Sequence, residues 1–224
     1  MKDHNSQPLS DFIEYPAAEM TARSEAFYQD IKRRHSIRQF SDRPVEQVVI
    51  KNCIKAAGTA PSGANHQPWF FSAISDPATR LKIRLATEEE ERAVYAGRAA
   101  EEWLEALDPL GTEQDKPYLA IAPWLIAIFA QRRGGPSGEE DLKNYYVNES
   151  VGIATGFLIA GLHHAGLATL THTPNPMTFL NGLCGRPATE KPFLILVAGH
   201  PADDAMVPRH ALIKKPLDEI AGFF

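Results

Sequence analysis

Cysteine is scarce in this chain, and long apolar runs are missing from it. The 224 residues include two cysteines, Cys53 and Cys184, too few for a disulfide framework or a cysteine-based zinc site. Both have apolar neighbours, so we expect inert, packed thiols in a reducing compartment. No stretch approaches the ~18 consecutive apolar residues of a membrane-spanning helix, and the N-terminus has no apolar signal core. These absences favour a cytoplasmic protein.

Positive charge and nucleotide-binding loops are also in short supply. The formal net charge of −5 argues against nucleic acid or an anionic membrane as the main partner. The sequence contains no G-x-G-x-x-G loop, no Walker loop and no G-x-S-x-G frame, so dinucleotide-fold, P-loop and serine-hydrolase sites lose support. His66, His200 and His210 show no metal-ligand spacing, and no metal is expected.

Strand-like and helix-like segments alternate along the chain. After an arm over residues 1–20, the pattern predicts one domain over 21–224. The predicted helices are Thr21–Arg34, Val45–Ala57, Ala78–Leu107 and Glu140–Gly166, and the predicted strands are Pro68–Ile74, Pro123–Ala130, Ala168–His172 and Phe193–Ala198. We predict an exposed loop over Arg132–Gly138. The alternation and the arm-like ends favour an α+β fold, an α/β sandwich completed by exchange between subunits.

A basic run follows the first predicted helix. In an extended segment Arg34, Ser36 and Arg38 point the same way, and arginine forks suit a phosphate. Taken alone, the run is weak evidence for a phosphate site, because charged helix ends are usually just solvated.

Two further segments offer polar groups to a flat ring. Pro61-Ser62-Gly63-Ala64 forms a tight turn, although Pro136-Ser137-Gly138 shows that this triplet also occurs in an ordinary loop. Residues 56–70 are small and then aromatic, which favours close approach of the backbone to a ligand. Thr171-His172-Thr173-Pro174 would add hydroxyls. Together with the basic run, these segments predict a flavin mononucleotide (FMN) site.

Several of these motifs, in this order and spacing, resemble the nitroreductase superfamily: Ser36-Ile37-Arg38, Gly58 to Ala64, Pro68-Trp69 and Thr171 to Pro174. A second set is similar to the iodotyrosine deiodinase family within it: Glu88 to Glu91, Tyr95, Lys116 to Leu119, Tyr145 to Ser150 and Lys215 to Leu217. The resemblance covers about residues 22–220. It implies a nitroreductase-like fold with a central mixed sheet flanked by helices. It also implies an arm-exchanged homodimer with two active sites at its interface.

The resemblance also assigns roles to residues. It implies that the FMN phosphate is held by Arg34, His35, Ser36, Arg38 and Lys214. It implies that the isoalloxazine is lined by Pro61, Ser62 and Gly63 on one side and by Thr171, His172 and Thr173 on the other. The Thr173 hydroxyl is expected to bond flavin N5 and to carry the catalytic role, while the Ala64 N–H meets the substrate phenolate.

The chain departs from the vertebrate members of this family in three respects. His35 and Lys214 stand where those enzymes have arginine, and the lysine replaces a fork by a point charge, so FMN binding is expected to be looser. As the third departure, we expect that an N-terminal membrane anchor is missing here.

A candidate substrate clamp consists of Glu91, Tyr95 and Lys116. Glu91 and Tyr95 are four residues apart and share one helix face, and a carboxylate with an ammonium suits an amino-acid zwitterion. The resemblance places these three residues on a mobile lid, at about residues 86–117. A run of glutamates by itself indicates only a solvated acidic helix.

We therefore expect FMN-dependent reductive dehalogenation of halotyrosines such as iodotyrosine, with electrons from NAD(P)H directly or through a reductase. One alternative is a general nitroaromatic or quinone reductase, which needs no clamp. Others are the relative that fragments FMN to make dimethylbenzimidazole, and a non-catalytic flavin-binding protein.

Overall fold

The computed structural model describes residues 6–93, 95, 102, 105, 107–135 and 138–224. By internal contacts the chain divides into one compact unit that ends at Arg33 and a second from Arg34 to Phe224. The first unit contains helix α1 (Ala17–Ile31), which begins inside the segment predicted as an arm. An ion pair between Arg23 and Glu19, one turn apart, supports this helix at 2.7 Å.

The second unit is built on a four-stranded sheet. Its strands and those of a small hairpin are β1 (Trp69–Ile74), β2 (Trp124–Gln131), β3 (Arg133–Gly134), β4 (Glu139–Lys143), β5 (Ala168–His172) and β6 (Glu190–Gly199). The helices are α2 (Gln47–Ala57), α3 (Pro77–Ala93), α4 (Tyr118–Ile121), α5 (Val147–His164), α6 (Phe179–Leu183), α7 (Arg209–Leu212) and α8 (Leu217–Ile220). The sheet has the order β1-β2-β6-β5.

Helices cover both faces of this sheet, as the sandwich prediction requires. Alternate residues of β2 point to opposite faces: Ile126 and Ile128 pack against α2 and α5, while Leu125 and Phe129 pack against α3, α4 and α6. β2 is buried along nearly its whole length because both faces are covered. The predicted α+β sandwich is therefore confirmed.

The direction of the strands differs from the prediction of a mixed sheet. β1, β2, β6 and β5 pair antiparallel in every case. The parallel pairing found in the described residues is an isolated bridge between Ser36 and Thr169. It adds the basic run at residues 34–38, called the basic segment below, to the edge of β5. The family resemblance implies the mixed sheet, and apolar periodicity does not test it, because periodicity shows which residues are buried but not the direction of a strand.

The predicted helix over Glu140–Gly166 is wrong in its first part. Residues 139–143 form β4, which pairs with β3 in a hairpin. This hairpin begins inside the loop predicted over Arg132–Gly138 and extends beyond its end. Tyr146 then adopts a left-handed conformation with φ 48°, and α5 begins at the next residue. A non-glycine residue at positive φ cannot continue a right-handed helix, so the hairpin and the helix are separate elements.

The predicted helix over Ala78–Leu107 is found as α3 up to Ala93. Beyond Ala93 the prediction lies largely outside the described residues, as does the middle of the predicted lid. None of the described helices combines the length and apolar content needed to cross a bilayer. No group of three or more potential metal ligands is gathered within the described part of the chain.

Candidate functional site

The basic segment lies along the free edge of β5. Ser36 bridges Thr169, and the Ile37 N–H donates to the Thr169 carbonyl at 3.4 Å. Ile37 is buried, whereas Ser36 and Arg38 on either side of it are partly exposed. This is the alternation expected of an extended segment, and it places the predicted phosphate ligands next to the strand that ends at the predicted flavin ligands.

Lys214 is brought to the start of the same segment. Burial is the main cause that lowers the pKa of His35, and the charges of Arg34 and Lys214 lower it further. His163, at the end of α5, acts on His35 in the same direction. The Lys214 ammonium is tethered by a hydrogen bond to the Ala211 carbonyl at 2.7 Å. Arg34, His35 and Lys214, three of the predicted phosphate ligands, therefore lie close together, with His163 beside them.

The turn predicted to face the flavin has an unusual backbone. Ala64, Asn65 and Gln67 have φ values of 51°, 56° and 50°, a region that non-glycine residues rarely occupy. A Cβ added at Gly63 would lie 2.5 Å from the Tyr145 carbonyl oxygen, so glycine is required there. Ala64 is an exposed residue, and its N–H makes no hydrogen bond to any described residue, which leaves it free to donate to a ligand.

Two buried residues that sequence reasoning missed hold this turn in place. Ser150, 2% exposed, accepts the Gly63 N–H at 3.2 Å. Asn144, 4% exposed, donates to the Gln131 carbonyl at 2.8 Å, and its Oδ1 lies 2.9 Å from His66 Nδ1. Asn144 directly precedes the Tyr145-Tyr146 pair and Ser150 lies four residues after it, and no local pattern marked either residue.

The structure separates His172 from its two threonine neighbours. Thr171 and Thr173 are exposed on one side of β5, whereas the His172 side chain lies on the other side, edge-on to Tyr118 with ring centroids 5.9 Å apart. A cleft of about 630 Å³ opens beside Thr173 and also adjoins the first residues of α5. The prediction that His172 lines the flavin together with the threonines therefore does not extend to its side chain.

His172 instead belongs to the surroundings of the substrate clamp. Its Nε2 is buried, has no hydrogen-bond partner among the described residues and lies 3.9 Å from Glu91 Oε1. Burial, and then the charges of Lys116 and Arg38, lower the pKa of His172 to about 3. The imidazole is therefore neutral near pH 7, and it adds no charge to the clamp.

The three predicted clamp residues meet in one cluster. Lys116 Nζ lies 3.4 Å from Glu91 Oε2 and 6.0 Å from the centre of the Tyr95 ring. Nζ also donates to Thr112 Oγ1 at 3.1 Å and to the Glu113 carbonyl. Lys116 is 2% exposed, and burial lowers its pKa against the opposing effect of Glu91. Glu91 and Lys116, far apart in sequence, thus form a largely buried ion pair.

Helix α3 holds the short helix that follows Lys116. The Arg80 guanidinium is buried and donates to the Ala120 carbonyl at 2.6 Å and to the Ala122 carbonyl, at the end of α4. At the other end Glu88, also buried, accepts the Lys116 backbone N–H at 2.7 Å. Sequence reasoning missed both residues. The signal for Glu88 was present, because it lies three residues before Glu91 and so shares its side of the helix.

Comparison with known proteins agrees with the family resemblance and with the fold. The model of the nitroreductase family matches residues 31–200. An iodotyrosine deiodinase from Haliscomenobacter hydrossis is 49% identical over 202 residues, covering 88% of this chain and 91% of the relative. Iodotyrosine deiodinase 1 of Homo sapiens is 44% identical over 207 residues, covering 92% of this chain and 71% of the relative. A crystal structure of oxidized iodotyrosine deiodinase bound to FMN and 3-iodo-L-tyrosine aligns with a TM-score of 0.71 at 28% identity, over 88% of this chain and 98% of the other.

Proposed function

The chain belongs to the nitroreductase family, and on that premise we propose that it is an FMN-dependent oxidoreductase that reductively removes halogen from halotyrosines. In the overall reaction the carbon–halogen bond is replaced by a carbon–hydrogen bond. Two electrons and a proton enter, and halide leaves. Relatives at 44–49% identity that bear the name iodotyrosine deiodinase support this activity.

The observation that carries the proposal is the cluster of Glu91, Tyr95 and Lys116. A halotyrosine presents an ammonium and a carboxylate on one carbon atom. A carboxylate and an ammonium side chain 3.4 Å apart offer the complementary charges in a largely buried setting. Nitroaromatics and quinones carry no such pair of charges, so a general reductase has no use for this cluster.

The pairing of Glu91 with Lys116 makes the site selective. A ligand enters the cluster by replacing this ion pair with its own two charges, its ammonium on Glu91 and its carboxylate on Lys116 and the Tyr95 hydroxyl. A ligand with a single charge would leave one of these two side chains buried without a partner, which costs several kcal/mol. A neutral phenol leaves the ion pair intact and gains nothing from it, so the cluster favours a zwitterion.

The residues present also suit FMN. Arg34, Arg38 and Lys214 supply the positive charge that a phosphate monoester requires, while His35 and Ser36 add neutral hydrogen-bond donors, since burial and the neighbouring cations lower the pKa of His35. The turn leaves no room for a side chain at position 63. Thr171 and Thr173 are exposed residues that carry hydroxyls. We therefore assign Pro61, Ser62, Gly63, Thr171 and Thr173 to the ring, and His172 to the ring through its backbone alone. When bound, FMN supplies the electrons.

The aromatic end of the substrate is oriented by the turn. The Ala64 N–H lies in a turn whose conformation is set by the left-handed backbone at Ala64 and by the Gly63–Ser150 hydrogen bond. A donor fixed in this way binds a phenolate better than a phenol. Halogenation acidifies the phenol, so this contact favours halotyrosine over tyrosine.

We also propose that the working enzyme is a homodimer. Helix α5 exposes Ile153 and Phe157 at 43% each, next to Gly152 and Gly156 with open space around them. At the C-terminus Leu217, Ile220, Phe223 and Phe224 are exposed as well. Apolar surface of this extent is typical of a protein interface.

Two further predictions concern the reductant and the location of the protein. The reductant is expected to be NAD(P)H, directly or through a reductase. The thiols of Cys53 and Cys184, which form no disulfide, favour a cytoplasmic location.

The proposed function is tested by titrating the purified holoprotein with iodotyrosine, chlorotyrosine and a nitroaromatic while flavin fluorescence is recorded. We expect strong quenching by the two halotyrosines and weak quenching by the nitroaromatic. Reduced enzyme mixed with iodotyrosine should release iodide and tyrosine in equal amounts. Equal affinity for all three compounds, without halide release, would favour the general reductase.

Thr173→Ala should retain FMN and lose much of its dehalogenase activity. Thr173 is an exposed residue and its hydroxyl makes no hydrogen bond to a described residue, so it is available to the flavin. Loss of a hydrogen bond worth about 1 kcal/mol or more to a reacting group lowers the rate by about fivefold or more. Reduction of a nitroaromatic by hydride transfer should survive, and Thr173→Ser should restore dehalogenation. Equal losses of the two activities in Thr173→Ala would show that Thr173 has no specific role in halide removal.

A further inference from the structure

Glu88 connects the two charged residues of the clamp. It lies on α3 with Glu91, and its Oε1 accepts the backbone N–H of Lys116 at 2.7 Å. We propose that Glu88 is a positioning residue that sets Lys116 at the distance from Glu91 that an amino-acid zwitterion requires. This inference rests on the proposed function and extends it to a residue outside the clamp.

Glu88 is built into the structure as a buried carboxylate. Its residue exposure is 6%, in contrast to the exposed Glu89 beside it. The same Oε1 accepts Arg84 Nε at 2.7 Å, so one oxygen receives two donors. Burial alone would raise the pKa of Glu88, but the hydrogen bonds from Arg84 and from the Lys116 N–H outweigh it, and the pKa is lowered. The acceptor is therefore charged and strong near pH 7.

Because α3 is rigid, this hydrogen bond fixes the position of the Lys116 backbone relative to Glu91. Glu88 and Glu91 are separated by less than one helical turn, so their relative positions are fixed by the helix. The hydrogen bond ties the Lys116 backbone to the same helix, and Arg80 ties the end of α4 to it through the Ala120 carbonyl. Helix α3 thus carries one clamp residue and locates the backbone of the other.

The Lys116 side chain alone does not provide this precision. A lysine has four rotatable side-chain bonds, and its Nζ finds partners at Thr112 and Glu113 as well as at Glu91. Without the Glu88 hydrogen bond the backbone of Lys116 would lose a charge-assisted tether, and its ammonium would sample positions away from Glu91. Zwitterion binding should then weaken although no clamp residue has changed.

The test uses holoproteins that carry Glu88→Ala, Glu88→Gln or Glu89→Gln, titrated with iodotyrosine and with an iodophenol by flavin fluorescence. We expect Glu88→Ala to lose about tenfold or more in iodotyrosine affinity and to bind iodophenol as wild type does. Glu88→Gln keeps an acceptor oxygen and should lose less. Glu89→Gln, with the same change at an exposed neighbour, should match wild type.

A double variant separates positioning from a general loss of structure. If Glu88 acts through Lys116, Glu88→Ala in a Lys116→Ala background should cause no further loss of iodotyrosine affinity. Additive losses, or equal losses for iodotyrosine and iodophenol, would overturn the proposal. If Glu88→Ala does not fold, the same comparison is made with Glu88→Gln, and an iodotyrosine-to-iodophenol preference equal to that of wild type overturns it. Wild-type holoprotein that ignores iodotyrosine would overturn the proposed function itself, and this inference with it.

Discussion

Lys116→Ala and Glu91→Gln should each weaken iodotyrosine binding by about tenfold to a hundredfold, because a charge-assisted hydrogen bond is worth about 1.5–3 kcal/mol. Each substitution leaves one end of the substrate zwitterion without its partner in a site where Lys116 is 2% exposed. FMN content should not change, since neither residue belongs to the group assigned to the cofactor. The dissociation constant from flavin fluorescence quenching measures the effect.

An iodophenol provides the internal control for these two variants. It has no ammonium or carboxylate, so it should bind wild type poorly and respond little to either substitution. Lys51→Ala removes an exposed lysine from α2 and should leave both ligands unaffected. If iodophenol and iodotyrosine lose affinity equally in the variants, the cluster is not a zwitterion clamp and the general reductase becomes the better proposal.

Arg38→Ala should lower FMN affinity by about tenfold or more, again from the loss of one charge-assisted contact. Arg38 is partly exposed and forms no ion pair with a described residue, so its guanidinium is available to a phosphate. Its charge also lowers the pKa values of Lys116 and His172, which places it close to the clamp as well as to the basic segment. The wild-type protein should be yellow, carry about one FMN per subunit and elute as a dimer.

Cofactor affinity is best measured by titrating FMN into apoprotein and following the loss of flavin fluorescence. Arg43→Ala, an exposed arginine just beyond the basic segment, should bind FMN as wild type does. Arg38→Lys should lie between wild type and Arg38→Ala, since a lysine keeps the charge but loses the fork. A wild-type chain that stays colourless after incubation with FMN would contradict the flavin assignment altogether.

Much of the fold was accessible from local pattern. The buried strand around Ile126 and the helix that ends at Gly58 were predicted to within one or two residues, because apolar periodicity and turn residues act locally. The hairpin before Val147 was not predicted, because its charged residues also fit a helix and nothing local announced the left-handed Tyr146. The prediction of a mixed sheet was also wrong, because the direction of the strands is set by how the connections between them pack and not by the local pattern.

The candidate site divides in the same way. Residues 34–38, 61–64 and 171–173 could be chosen from sequence because each is a short motif with its own chemistry, and the order of the motifs resembles one family. The side-chain direction of His172 could not be chosen with them. Strand alternation turns it away from Thr171 and Thr173, and only the packing of Tyr118 and Glu91 shows what it meets there.

Local sequence is enough to propose the chemistry of each segment: cations for a phosphate, a tight turn for a flat ring, and a carboxylate with an ammonium for a zwitterion. The arrangement of these groups depends on how the folded chain packs. The run Glu88 to Glu91 consists of four identical residues whose surroundings differ. Glu88 is buried and accepts a backbone N–H, Glu89 is exposed, and Glu91 pairs with Lys116. The physical reason is that these contacts join residues more than twenty positions apart, and the energy of a hydrogen bond or an ion pair depends on distance and burial in the folded chain.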